Sequence, residues 1–359
     1  MKKEDWDHMM SIFGKCNVIY NDFFSVIAAT HATRKWSGNP LWVMGVAPPS
    51  YGKTIPMELL KETGDVKLVS SVTPAALISG YGGEGCDPSL FSELDGHTLL
   101  AKDFGTILSQ GYIQTATIFA MFREAYDGHV SKQFGMFKRE YTLKFNFVAA
   151  CTDQIERYKM FAGQLGERFL YYRVKRTVVP PNNKMNPAIF PAVADFMMEL
   201  DREYQNEEPS ISDSIVDKVN KMAYATAILR TEVVGSSQEI IEVPRFESGS
   251  RLEKQLVKLY LGLNALGMQD DLAIEVLRHS CESCMPYRRM AVFQYLLEYE
   301  HGSTTDITDH CRLSYSMVDR TCKELHALGL LKTTSNKFPK ANSWRVSDEH
   351  VGTMSMLWD

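Results

Sequence analysis

Gly52, Lys53 and Thr54 follow one another at the end of the stretch Ala47-Pro48-Pro49-Ser50-Tyr51-Gly52-Lys53-Thr54. A lysine beside a hydroxyl residue is the pair that a bound triphosphate requires. The ammonium neutralises the β- and γ-phosphates, and the hydroxyl takes one position on Mg²⁺. A turn whose backbone N–H groups converge completes the cradle, and glycine at 52 lets that backbone come close. Ala47 stands where a first glycine is usual. Asp103 ends the apolar run 98–102 and would hold the metal through water. Thr152 ends the run 145–151, where a hydroxyl would meet the γ-phosphate or orient a lytic water. Arg168, just ahead of the run 169–174, is the kind of guanidinium that stabilises charge on a phosphoryl group transferring in a neighbouring subunit. Phe104 occupies the position where an acid would polarise the water, so Glu124 becomes the first candidate for that role.

Such residues need a scaffold that gathers strand ends. The runs 41–46, 67–71, 98–102, 145–151 and 169–174 read as strands, and helical patterns alternate with them from about 39 to 179. That alternation predicts an α/β core, a parallel sheet flanked by helices. The loop 47–54 then leaves the first strand and enters a helix near Ile55-Pro56. Proline in a first helical turn forfeits no hydrogen bond, and the positive helix end faces the phosphates. Thr73-Pro74 opens another helix with a cap residue. Residues 1–38 read as a helical segment that Ser37-Gly38-Asn39-Pro40 ends. Residues 180–285 read as helices at 191–200, 216–233, 252–266 and 271–279, with a polar loop at 201–214. Residues 286–359 read as a separate small unit.

Composition narrows the partners. The chain has 359 residues, 45% hydrophobic and 23% charged, with a net charge of -5. A mildly acidic chain has no bulk affinity for nucleic acid, so any DNA contact must come from local patches. No apolar run approaches membrane-spanning length, and seven cysteines, an odd number, read as reduced thiols of a cytoplasmic protein. His279, Cys281 and Cys284 are spaced for the start of a zinc site, but no second close pair follows. Asp103-Phe104-Gly105 spells the magnesium tripeptide of protein kinases, yet the other kinase motifs are missing.

The ordered set of loop, Asp103, Thr152 and Arg168 resembles the AAA+ ATPases, and within them the minichromosome-maintenance-like helicases. Phe122-Arg123-Glu124-Ala125-Tyr126-Asp127-Gly128 followed by Ser131-Lys132-Gln133-Phe134-Gly135 is similar to that group's helix and hairpin before the fourth strand. Gly166-Glu167-Arg168-Phe169-Leu170 resembles its arginine-finger motif. Ser250-Arg251-Leu252-Glu253-Lys254-Gln255-Leu256 resembles its lid helix, which makes Arg251 a second-sensor arginine. The likeness covers about 40–265 and departs from the pattern at Ala47, Phe104 and Thr152. It implies ATP and Mg²⁺ as ligands, hydrolysis between subunits of a ring that is usually a hexamer, and single-stranded DNA in the channel. Lys132, Lys138 and Arg139 of the hairpin would then meet DNA phosphates. The compact form suits a virus or other mobile element.

The last unit reads as three helices, 289–298, 305–310 and one capped by Ser314, then two strands joined by a tip at Lys337-Phe338-Pro339-Lys340. It resembles the winged-helix fold, and Glu324-Leu325-His326-Ala327-Leu328-Gly329-Leu330-Leu331 is typical of it. The third helix would offer Tyr315, Arg320 and Lys323 to DNA, and the wing Lys337 and Lys340. Asp319 and Glu324 dilute that charge, so a protein contact is the other reading. The function expected is an ATP-dependent motor acting on DNA, a replicative helicase or initiator. The alternatives are a nucleotide-gated DNA-binding regulator and a helicase loader.

Overall fold

The computed structural model describes residues 3–16, 18–19, 22–82, 86–135, 137–158, 168–176, 178, 184–205, 208–235, 240–242, 248–334, 343–349 and 352. Five strands form a parallel sheet: β1 (Trp42–Val46), β2 (Val66–Val69), β3 (Thr98–Ala101), β6 (Asn146–Cys151) and β7 (Phe169–Arg173), in the order β2-β3-β6-β1-β7. A hairpin of β4 (His129–Phe134) and β5 (Phe137–Thr142) stands between β3 and β6 in the chain. Every residue of β1, β3 and β6 is buried, which a strand covered on both faces requires. All five strands lie within one or two residues of the runs read from their apolar patterns.

The order of strands has a consequence for ligands. From β1 the chain steps outward to the edge strand β2, then returns through β3 and β6 and passes β1 to reach β7. The connection leaving β1 runs opposite to all that follow. Ligands of open parallel sheets sit at the carboxyl ends of strands where the direction reverses. Here that place is the loop after Val46.

Trp42 anchors the opposite, amino-terminal end of β1. Its ring lies 5.1–5.9 Å from those of Phe122, Tyr126, Phe145, Phe147 and Phe169, and its Nε1 donates to Phe145 O at 2.9 Å. An aromatic nucleus of this size holds helix Tyr112–Tyr126 against the sheet.

The chain divides into two compact units, 1–211 with 254–277, and 212–253 with 278–359. The amino-terminal helices thus belong with the sheet rather than forming a segment apart. The reason is burial: Phe23 through Ala32 are all buried, and Asn146 of β6 donates to Thr30 O at 2.5 Å and Thr33 Oγ1 at 2.9 Å. Arg34, itself buried, is held by Asp65 and by Asp201 of helix Ile189–Glu203. That helix carries the chain through the start of the stretch expected to be a loop.

Within the same unit, Lys258 of helix Ser250–Ala265 reaches into the turn at 36–39. Its Nζ donates to Asn39 O at 2.8 Å, Ser37 O at 3.2 Å and Trp36 O at 3.5 Å, and Lys144 shares the Trp36 carbonyl. Burial, then the nearby Lys144, push Lys258 down to about 7, while Glu208 opposes them. A lysine that holds its proton less tightly folded than unfolded costs stability while both states are protonated. That cost falls away as pH rises from about 7 towards the ordinary lysine value. Lys258→Met is therefore expected to remove a rise in stability between pH 7 and 10, measured as the Tm difference from wild type at each pH. A difference constant across that window contradicts the assignment.

The second unit contains helices Tyr287–Glu298, Thr304–Cys311 and Tyr315–Ala327 with a three-stranded antiparallel sheet of His301–Ser303, Ser343–Val346 and Leu331–Thr334. Ser303 and Asp306 form a reciprocal capping box, and Ser314 accepts from Met317 N as the cap of the third helix. No helix among the described residues is long and apolar enough to cross a membrane.

Candidate functional site

At the end of β1 the Ala47 N–H donates to Cys151 O at 3.2 Å, carrying the ladder one residue past the strand. The two prolines that follow cannot extend it. The chain then turns at Ser50, φ 65°, and Gly52, φ 87°. Left-handed backbone at a non-glycine residue is uncommon and marks a constrained turn. Among the described residues nothing accepts from the backbone N–H groups of Ser50, Tyr51, Gly52 or Lys53. These donors border an open pocket of about 440 Å³, lined by residues 50–55 with Arg176 and Val178. The helix after the loop begins at Thr54, and Pro56 lies in its first turn.

Lys53 folds back over the loop, its Nζ donating to Ala47 O at 2.5 Å and Pro48 O at 2.8 Å. Burial lowers its proton affinity, opposed by Cys151, Asp153 and Asp103. Asp103 is exposed directly after β3, and its Oδ1 accepts from Gly105 N at 2.9 Å. Thr152, half-buried, directly follows β6, and the exposed Asp153 beyond it lies 3.5 Å from Arg173. The strands β1, β3 and β6 therefore bring Lys53, Thr54, Asp103 and Thr152 to one edge of the sheet. Asp153 and Arg176 complete the edge, and the sequence reading missed both. Asp153 was legible as an acid next to the strand-ending hydroxyl; Arg176 carries no local signal.

Phe104 is not a lining residue that lost its acid. It is fully buried, its N–H donates to Ala150 O at 2.7 Å, and its ring packs 5.9–6.2 Å from those of Phe119, Phe147 and Phe169. An ionised acid there would be buried among aromatic rings without a partner, at a cost of several kcal/mol.

Arg168 and Glu124 lie at the other edge. Arg168 immediately precedes Phe169, which pairs with Trp42 at the start of β1. The loop begins five strand residues further on, a separation of roughly 17 Å at about 3.3 Å per residue. Arg168 Nη2 lies 2.8 Å from Asp127 Oδ2, and its guanidinium faces the Tyr126 ring at 5.5 Å. Glu124 occupies the last turn of helix Tyr112–Tyr126, exposed, with Tyr126 against Trp42. The expectation that Glu124 activates water at this chain's own loop is thus corrected: the helix runs the wrong way to bring it there. Arg251 is in the first turn of helix Ser250–Ala265, in the second unit.

The basic residues expected on DNA divide sharply. Arg139 is not free for phosphates: it donates to Ser79 O, Tyr81 O, Gly82 O and Cys86 O, and pairs with Asp87 at 3.2 Å. Lys138 pairs with Glu140 at 2.7 Å. Lys132, half-buried, stands 5.2 Å from the Phe134 ring centroid and has no carboxylate within 4 Å among the described residues. In the second unit Arg320, Arg288 and Arg289 all converge on the buried Glu324 at 2.9–3.0 Å. Lys323 pairs with Asp319 at 2.7 Å. The charges of Arg320 and Lys323 are therefore largely spent within the fold, whereas Tyr315 is 55% exposed. Lys337 and Lys340 lie outside the described residues. Comparison of the chain with protein-family models and with curated proteins gives no match to either.

Proposed function

We propose that the chain is an oligomeric, Mg²⁺-dependent ATPase of the AAA+ type that acts on DNA. One observation carries the reading. A loop with a lysine, and with four backbone donors that have no acceptor among the described residues, leaves the interior strand β1 where the sheet reverses, and Asp103 lies near enough to act on that lysine electrostatically. Triphosphate charge fits that arrangement: donors, Lys53 and Arg176 for the phosphates, Thr54 and Asp103 for the metal. Mg²⁺ keeps most of its water and takes one or two carboxylates plus phosphate oxygens, so this sparse ligand set suits it. When bound, the metal supplies further charge neutralisation at the β- and γ-oxygens.

Hydrolysis in this reading belongs to an interface. Thr152 and Asp153 orient water, and Arg168, remote from its own loop, serves the nucleotide of the next subunit in a ring, a hexamer by the resemblance. Arg251 keeps a second-sensor role by the resemblance alone. Lys132 on the hairpin contacts single-stranded DNA. The second unit, with its three helices and small sheet, is read as a winged helix that docks DNA or a protein partner. Phe104 favours a second reading, a nucleotide-gated DNA-binding switch that turns over little ATP.

Turnover measured with and without single-stranded DNA, together with particle mass in a slowly hydrolysed ATP analogue, separates the two. DNA-stimulated turnover by a multi-subunit particle is the expected result. ATP binding without turnover under any DNA condition sinks the motor and leaves the switch.

A further inference from the structure

The hairpin does more than present Lys132. On one of its faces the residues are Lys132 and Phe134 on β4, opposite Arg139 and Phe137 on β5. Phe134 and Phe137 stack at 5.5 Å, and the Arg139 guanidinium stands 5.4 Å from the Phe137 ring centroid. Arg139 is also the clasp that holds residues 79–82 and 86–87 against the hairpin, through four carbonyls and Asp87, while Tyr141 donates to Asp87 at 2.7 Å. That loop carries Tyr81, which at 81% has the greatest exposure of any large hydrophobic side chain among the described residues.

The presentation of Tyr81 is built. A Cβ at Gly80 would meet the Phe134 ring at 2.7 Å, and one at Gly82, φ +98°, would meet Cys86 O at 2.3 Å. Only glycine on either side lets the loop lie so close to the hairpin while the tyrosine projects. Phe137, 37% exposed, lies on the same guanidinium. Two exposed rings, one on backbone whose carbonyl Arg139 holds and one packed against its guanidinium, with a lysine alongside that has no carboxylate partner among the described residues, match one ligand chemistry. Stacked bases meet the aromatic and guanidinium planes, and a phosphodiester meets the ammonium.

We propose that Tyr81, whose backbone Arg139 holds, and Phe137, which packs on Arg139, form with the flanking Lys132 a stacking platform for the bases of a single-stranded nucleic acid. The proposal rests on the reading of the hairpin as a DNA-contacting element. Two probes test it by fluorescence anisotropy at low salt: a labelled oligothymidylate and an abasic phosphodiester oligomer of equal length. Tyr81→Ala and Phe137→Ala are expected to weaken oligothymidylate binding by about five- to a hundredfold, leaving the abasic oligomer unaffected and Tyr81→Phe close to wild type. Alanine variants that bind oligothymidylate like wild type, or lose both oligomers equally, overturn the platform. Loss in Lys132→Ala with silent aromatic variants also overturns it, yet keeps the DNA reading. A wild-type chain that binds neither oligomer sinks both.

Discussion

Arg168→Ala is expected to lower ATP turnover by about 10³- to 10⁵-fold while nucleotide affinity changes little. The placement of Arg168 explains why. It precedes β7 at the edge where Trp42 begins β1, so it cannot touch the loop of its own chain. Its ion pair with Asp127 and its seat over Tyr126 hold it at that end of the sheet, where in the proposed ring it would meet the nucleotide of the next subunit. A guanidinium supplied this way acts only when charge spreads over the γ-phosphoryl oxygens, so binding survives its loss and turnover does not. Mixing adds a sharper expectation. Arg168→Ala and Lys53→Ala chains, each inactive alone, should together regain activity. In a mixed ring about a quarter of interfaces join an intact Lys53 to an intact Arg168. No recovery on mixing contradicts a shared site.

Lys53→Ala is expected to remove ATP binding at concentrations that saturate wild type, with turnover lower by about 10²-fold or more. The ammonium is the loop's own cation at the pocket, and it donates to the carbonyls of Ala47 and Pro48. Its removal leaves the four backbone donors without their charge. Isothermal titration with Mg-ATP reads the loss directly. Unchanged affinity in the variant would make the loop an ordinary turn. Oligothymidylate binding by the same variant should persist, because the hairpin does not depend on Lys53.

Local chemistry was legible where it is carried by neighbours in sequence. The five strands followed from runs of β-branched and aromatic residues, and the caps at Ser314 and Thr73 from their own residues. The order of strands was not, since pairing across the sheet joins residues as far apart as Trp42 and Phe169. The same limit explains the misjudged cations. Arg139 meets the loop at Ser79 across sixty positions, and Arg320 meets a glutamate that also binds Arg288 and Arg289. Phe104 read as a vacancy in a catalytic pattern because its neighbour Asp103 faces the site; the period of the chain there turns adjacent side chains to opposite environments. Glu124 failed for a directional reason, since a helix that ends at Trp42 cannot also end at the loop.

The most direct test is the affinity of the purified chain for ATP, measured by titration with and without Mg²⁺. Saturable binding that strengthens with the metal and depends on Lys53 and Asp103 is the predicted result. No detectable binding in either condition would contradict the assignment of residues 47–54 as a phosphate cradle.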